Sequence, residues 1–417
     1  MPADVLSVVR NGAFLTGAQW SEAVLRAVFV IAIARLLGAE AYGIWNYAIG
    51  AYTLGVLCSI MGTDVLMARQ VGRAPEEATP FIAAALGLRL VLLLASGVAL
   101  ALFALLAAED STLQLALLLT VPALFARGLA LWSRPIFTGL ERAGMVLRIT
   151  GSIRLLELVV GLVILFATRD VLLVLGWHAV SWVLEALVSY RLVQRATGLR
   201  GPRFSRAQVM PVLRAGMPIG LAAMAVAALT TVPVLLAVPL GFDLQAVGQL
   251  GIAVQLGSLL TMAAQGFLNA SLPVLSRRTD SEQTGTGSHG WLVVLATLLL
   301  FAPVCLLAWQ FGGPLLALVL GEGYSRAAEL LWLVLLVAGA SVVPNGYWQL
   351  LVVAHRQRAG IFPSWAGLLL SLGLLVFTDL HQTLEGLLWA ALAGWILRAS
   401  LLVAASLRIR EADQNPT

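Results

Sequence analysis

The chain has 417 residues, 60% of them hydrophobic and 11% charged, with a mean hydropathy of +0.93, whereas a soluble domain carries about 25% charged residues. These values exclude a water-soluble globular protein and describe an integral membrane protein. All 26 basic residues are arginine and the net charge is +5, but the basic residues sit in short loops between apolar runs, which excludes a nucleic-acid-binding domain.

A helix crossing ~30 Å of hydrocarbon needs roughly 20 mostly apolar residues. Twelve such runs follow one another at 11–34, 43–66, 81–107, 112–132, 145–167, 171–193, 210–238, 246–270, 291–311, 327–350, 361–378 and 384–406. They are too long for strands and lack the alternation of an outer-membrane barrel, so the predicted fold is an all-α polytopic membrane protein with about 12 transmembrane helices. The first run has no small-residue cleavage site and leads at once into a second, and it reads as a retained helix. Cys58 and Cys305 both fall inside apolar runs, as small packing residues rather than a disulfide or a thiolate metal site.

The first run is interrupted by charge: "TGAQWSEAVLRAVFVIAIARLLG", residues 16–38, spaces Gln19, Glu22 and Arg26 at i, i+3 and i+7, on one stripe of a helix. Counting helical rise from Arg10 puts Glu22 roughly 18 Å and Arg26 roughly 24 Å deep, beyond easy snorkelling. Charges at that depth cost roughly 2.5–3.5 kcal/mol on insertion scales and face a partner or a water-filled cavity. Span three carries Arg89 without a sequence-local acid, span five sets Arg154 one turn from Glu157, and span six gathers His178, Ser181, Trp182, Glu185 and Ser189 in one arc. Arg127 and Arg398 lie near enough to their span ends to snorkel, and Trp45, Tyr47 and Trp291 read as interfacial belt residues. The Glu22/Arg26 and Arg154/Glu157 spacings also fit ion pairs that only hold the bundle, and His178 fits a hydrogen-bonded packing residue. In the second half the polar faces are uncharged: Gln255, Ser258, Gln265 and Asn269 in span eight, then Ser341, Asn345, Trp348 and Gln349 in span ten.

The longest polar interruption, "RLVQRATGLRGPRFSRAQ" at 191–208, divides the chain into an N-lobe (1–195), a linker (196–209) and a C-lobe (210–417). "RLLGAEAYGIW" after span one has a counterpart in "PLGFDLQAVGQL" after span seven, pairing Gly38 with Gly241, Glu40 with Asp243 and Gly43 with Gly248. Two six-helix copies in the same orientation predict a pseudo-two-fold along the membrane normal and a central cavity. With the N-terminus inside, 16 arginines fall in cytoplasmic loops, Arg134 and Arg142 among them, against 3 outside (Arg35, Arg169, Arg326), so both termini are expected in the cytoplasm. There is no metal-ligand cluster, P-loop or Gly-x-Ser-x-Gly elbow, and "GEG" at 321–323 is an outer turn. No cofactor and no enzymatic activity are expected.

"NGAFLTGAQW", "ARLLGAEAYGIWNYA", "GTDVLMARQVGR" and "YWQLLVVAHRQ" together resemble the Wzx-type polysaccharide flippases of the multidrug/oligosaccharidyl-lipid/polysaccharide superfamily, over nearly the whole chain. The resemblance implies alternating access and movement of an undecaprenyl-pyrophosphate-linked oligosaccharide from the cytoplasmic to the periplasmic leaflet of a bacterial inner membrane. The chain ends after twelve spans, where lipid II flippases of the superfamily usually have two more. Arginine offers a fixed, forked, always-charged donor for phosphate oxygens, which assigns Arg26, Arg89 and Arg154 to the pyrophosphate. Amides and an aromatic face suit sugar, which assigns Gln255, Asn345 and Trp348. Glu22, Glu157 and Glu185 are the candidates for ion coupling. The expected partners are the lipid-linked substrate and membrane lipid, with a polysaccharide polymerase and glycosyltransferases alongside, no nucleic acid, and a monomeric state. Alternatives are a multidrug or organic-cation exporter of the same superfamily, whose cavity should be acidic, and a membrane glycosyltransferase or ligase, which should show a large outer loop.

Overall fold

A computed structural model of the chain describes residues 3–107, 110–281, 287–353 and 356–414. The side chains of Arg10, Asn269, Arg277, Arg278, Trp291 and Arg410 lie outside the described set. Among the described residues the chain is almost entirely helical and has no strand. The helices are α1 (Ala3–Ile60), α2 (Thr63–Arg73), α3 (Thr79–Ala107), α4 (Ser111–Gly139), α5 (Ala143–Thr168), α6 (Val171–Thr197), α7 (Arg206–Ala237), α8 (Leu244–Ser281), α9 (Gly287–Leu320), α10 (Ser325–Val353), α11 (Ile361–Phe377) and α12 (Leu384–Gln414). Ten of them, α3 to α12, are long and apolar enough to cross a membrane. The other two expected spans, 11–34 and 43–66, are arms of α1 on either side of Gly38, which breaks the helix with φ 82 and ψ 177.

Gly241, the expected counterpart of Gly38, has φ 90 and separates α7 from α8. Both turns therefore use a left-handed backbone that glycine adopts without a Cβ penalty. The helices that follow differ. The second arm of α1 stops at Ile60, turns through Met61 (φ 44) and Gly62 (φ 69), and restarts as the short α2, whereas α8 runs to Ser281.

The chain divides into two compact units, Met1–Met224 and Ala225–Thr417. The division falls inside α7, beyond the 196–209 linker, and close packing explains it: a Cβ on Gly62 would meet the Gly216 carbonyl and Ile219, and one on Gly220 would meet Met61. The first half of α7 is thus fitted against the α1–α2 break. Its Val212 joins an apolar cluster with Met67, Ile82, Trp132, Phe137 and Val193. The 191–208 segment is itself pinned, because the Arg203 N–H donates to the Ala83 carbonyl at 2.9 Å and Gly87 leaves no room for a side chain beneath Arg203.

Three placements differ from the sequence expectations. Trp45 and Tyr47 are buried, at 4% and 1% exposure, rather than interfacial; Trp45 packs edge-on against Phe29 and His178. Arg134 is not a loop residue, because α4 continues past the expected end at 132 to Gly139 and carries it inside. Arg398 does not snorkel; it is fully buried in α12, so the interior of the second half is not uncharged.

Candidate functional site

In the first unit, polar side chains from α1, α4, α5 and α6 form one connected chain of hydrogen bonds. Arg134 Nη2 donates to Glu22 Oε2 at 3.1 Å and to Glu185 Oε1 at 3.2 Å. Glu185 also accepts from Thr150 at 3.2 Å and, through Oε2, from Arg154 Nη2 at 2.8 Å. Arg154 is also paired with Glu157, whose other oxygen meets His178 Nδ1. His178 Nε2 faces the Tyr52 hydroxyl at 2.8 Å and the Trp182 indole N–H at 3.1 Å. Tyr52 accepts in turn from Arg127 Nη1 at 3.3 Å, which donates to Thr53 at 2.7 Å as well. Arg154 and Arg127 both lie over the Trp182 ring, at 3.9 and 5.2 Å from its centroid.

His178 thus ties Glu157 on one side of its ring to Tyr52 and Trp182 on the other, a packing residue with three partners. The arc expected on span six is realised, with His178, Ser181, Trp182, Glu185 and Ser189 all buried.

Beside this chain is a narrow cavity of about 20 Å³ lined by Glu22, Arg26, Trp45, Arg154, Glu157 and His178, among others, room for about one water. Arg26 is half-buried there. Among the described residues it makes no hydrogen bond or ion pair, because Glu22, its neighbour at i−4, is taken by Arg134. Four arginines (26, 127, 134, 154) thus stand with three glutamates (22, 157, 185), an excess of one arginine over the carboxylates.

The structure brings Arg26 and Arg154 together at this cavity but not Arg89. Arg89 is fully buried between α2, α3 and α4, paired with Asp64 and donating to Thr63 at 3.1 Å and to the Gly128 carbonyl at 3.2 Å. Its acid lies in the segment after the Gly62 break, which a search within its own span does not reach. Arg127, Arg134 and Tyr52 were not among the expected site residues. The signal for the two arginines is their spacing of seven, which puts them on one face of a helix if it is extended past 132.

The second unit holds a larger cavity, about 260 Å³, between α7, α8, α10 and α12. Ser258, Thr261, Ser341 and Asn345 are its polar wall residues on α8 and α10, with Leu229 and Trp395 among the others. Gln255 and Trp348 lie outside this lining; the Trp348 ring packs on Gly360. The polar faces of α8 and α10 also meet where Gln349 Nε2 donates to Gln265 Oε1 at 3.1 Å. Near one end of these helices, buried Gln249 donates to the Gly323 carbonyl and accepts from the Ala327 N–H, clamping α8 to the turn before α10.

No curated protein matches the chain. Solved structures do, at low identity and nearly full coverage. An inward-facing multidrug resistance MATE family transporter of the MOP superfamily matches with TM-score 0.70 and 15% identity over 95% of this chain and 96% of its own. The outward-facing conformation of such a transporter gives 0.60 and 16% over 98% and 96%. A ligand complex of the MATE multidrug transporter DinF-BH gives 0.65 and 18% over 98% and 96%. These likenesses show the fold. The model of the family described as polysaccharide biosynthesis protein matches residues 8–279, more than half of the sequence. The chain belongs to that polysaccharide biosynthesis family, and its ten long apolar helices are those of a multi-pass membrane protein.

Proposed function

We propose that the protein is a flippase that moves an undecaprenyl-pyrophosphate-linked oligosaccharide from the cytoplasmic to the periplasmic leaflet of a bacterial inner membrane by alternating access. The observation that carries the reading is Arg26, a forked cation deep in the first span that pairs with no carboxylate among the described residues, at a cavity it shares with Glu22, Trp45, Arg154 and Glu157. With the neighbouring glutamates engaged by other arginines, Arg26 is the cation left over at this cavity, which suits an entering anion, and pyrophosphate is the dense anion of such a substrate. The cavity is too narrow in this conformation for that group, so binding at Arg26 goes with a wider state of the same unit. Asn345, assigned to sugar from the sequence, is on the wall of the larger cavity, where its amide can donate to an oxygen of the substrate. Glu22, Glu157 and Glu185 are tied to arginines here; an opening that separates such a pair frees a carboxylate to take up a coupling ion. The N- and C-lobe division, the cytoplasmic termini, and a polymerase and glycosyltransferases as partners complete the proposal.

A second reading, export of organic cations, is favoured by the three glutamates of the first unit and by the multidrug transporters that share the fold. The test is complementation of a strain that fails to export a lipid-linked glycan. Arg26→Ala should reach normal abundance and lose export, since it orphans no acid, and Arg26→Lys should retain part of it because the charge stays and the fork goes. A well-expressed Arg26→Ala protein with full export contradicts the proposed anion site.

A further inference from the structure

Arg398 is an isolated charge of the second unit. Its side chain is fully buried in α12, donating from Nε to Ser364 Oγ at 3.2 Å and from Nη1 to Asn345 Oδ1 at 2.8 Å, with the guanidinium 5.3 Å from the Trp395 ring centroid. Nη2 is buried without a partner, and among the described residues no carboxylate pairs with this arginine. Asn345 and Trp395 are both wall residues of the 260 Å³ cavity. The guanidinium is therefore one side chain removed from that space.

The bond from Arg398 fixes the Asn345 amide. With Oδ1 accepting from a guanidinium, the NH₂ group is the part left to donate to whatever occupies the cavity. The hydroxyls of Ser258, Thr261 and Ser341 donate to the carbonyls of Gln255, Gly257 and Ala338. Leu229, Pro233, Val254, Met262, Val334 and Leu388 supply apolar wall. A charge held in a low-dielectric interior with only neutral partners keeps most of its field, and the strongest free donor at the wall carries that field outward. An apolar body with one anionic head is the ligand chemistry that satisfies both parts.

We propose that this cavity binds a phosphate-bearing lipid, with the head group on the Asn345 amide and the Arg398 charge behind it, and hydrocarbon against the apolar wall. The inference goes beyond the flippase reading, because a lipid-linked diphosphate and a membrane phospholipid present the same chemistry.

Calorimetric binding to the purified full-length chain tests it, with farnesyl diphosphate and dihexanoyl phosphatidate as anionic probes and farnesol as the uncharged control. Either anion should bind at least tenfold more tightly than farnesol. Asn345→Asp, which sets a carboxylate against Arg398 at unchanged volume, should remove that preference and leave farnesol as in the parent; Arg398→Gln, which deletes the charge, should do the same and serves if the first variant unfolds. Preference for farnesyl diphosphate assigns the site to an isoprenyl diphosphate, and preference for phosphatidate assigns it to a bilayer phospholipid. Equal binding of farnesol and the anions, no binding of either anion, or parental anion affinity in both variants overturns the proposal. Failure of the parent chain to restore glycan export in vivo, with this binding intact, would remove the flippase reading and leave the site.

Discussion

Arg26 and Arg154 are both arginines at one cavity, yet they differ in what depends on them. Arg154 is 5% exposed and satisfies two buried carboxylates, Glu157 and Glu185. Removing it takes the arginine from both, leaving Glu157 with His178 and Glu185 with Arg134 and Thr150, and breaking a buried pair costs about 3–5 kcal/mol. Arg154→Ala should therefore lower the unfolding midpoint in detergent sharply, while Arg26→Ala should cost less than about 1 kcal/mol because no partner is stranded. Equal losses in the two variants would show that Arg26 is structural. At this scale the sequence identifies which residues are polar inside a span but not whom they meet. Glu22 has an arginine at the ideal helical spacing, and Arg134, 112 residues away, takes it instead. The Arg154/Glu157 pair was legible because both members sit on one helix. Arg89 and Arg398 were not, since their partners come from other helices and the neutral ones, Ser364 and Asn345, carry no charge signal.

Helices were the most legible elements, because a run of about twenty apolar residues has few alternatives in a membrane. Their ends were less so. Arg134 and Pro135 read as a loop, but a proline in a transmembrane helix is tolerated where neighbouring helices compensate, and α4 carries both to Gly139 with Arg134 anchored by Glu22 and Glu185. The break at Met61 and Gly62 was hidden inside an apolar run, where the hydropathy that marks the span says nothing of φ. Backbone sign and packing separate three glycines. Gly62 has φ 69 and lies against the Gly216 carbonyl, Gly38 has φ 82 with open space around it, and Gly176 is helical with open space. Gly62→Ala should lower stability by about 1–3 kcal/mol through a left-handed backbone and a clash, with a smaller loss for Gly38→Ala. Gly176→Ala should gain about 0.5–1 kcal/mol. Thermal unfolding of the three variants reads the order directly; a neutral Gly62→Ala would mean that α7 is not fitted against the α1–α2 break.

For the whole molecule, moving Arg134 from loop to interior leaves the arginine asymmetry large, so reporter fusions after residues 200 and 410 should report the cytoplasm and one near 243 the periplasm, and the opposite pattern would invert the proposed orientation. The polysaccharide family and the helical plan were readable from the chain as a whole. The substrate is the part that must be measured, since the fold is shared with multidrug exporters and the family description points to polysaccharide. The direct measurement is leaflet exchange in proteoliposomes of the purified chain, loaded with a fluorescent polyprenyl-diphosphate oligosaccharide and, separately, with a fluorescent organic cation. The account predicts protein-dependent flipping of the lipid-linked sugar that Arg26→Ala abolishes, with no accelerated release of the cation. Accelerated cation release together with no flipping of the sugar lipid would contradict it.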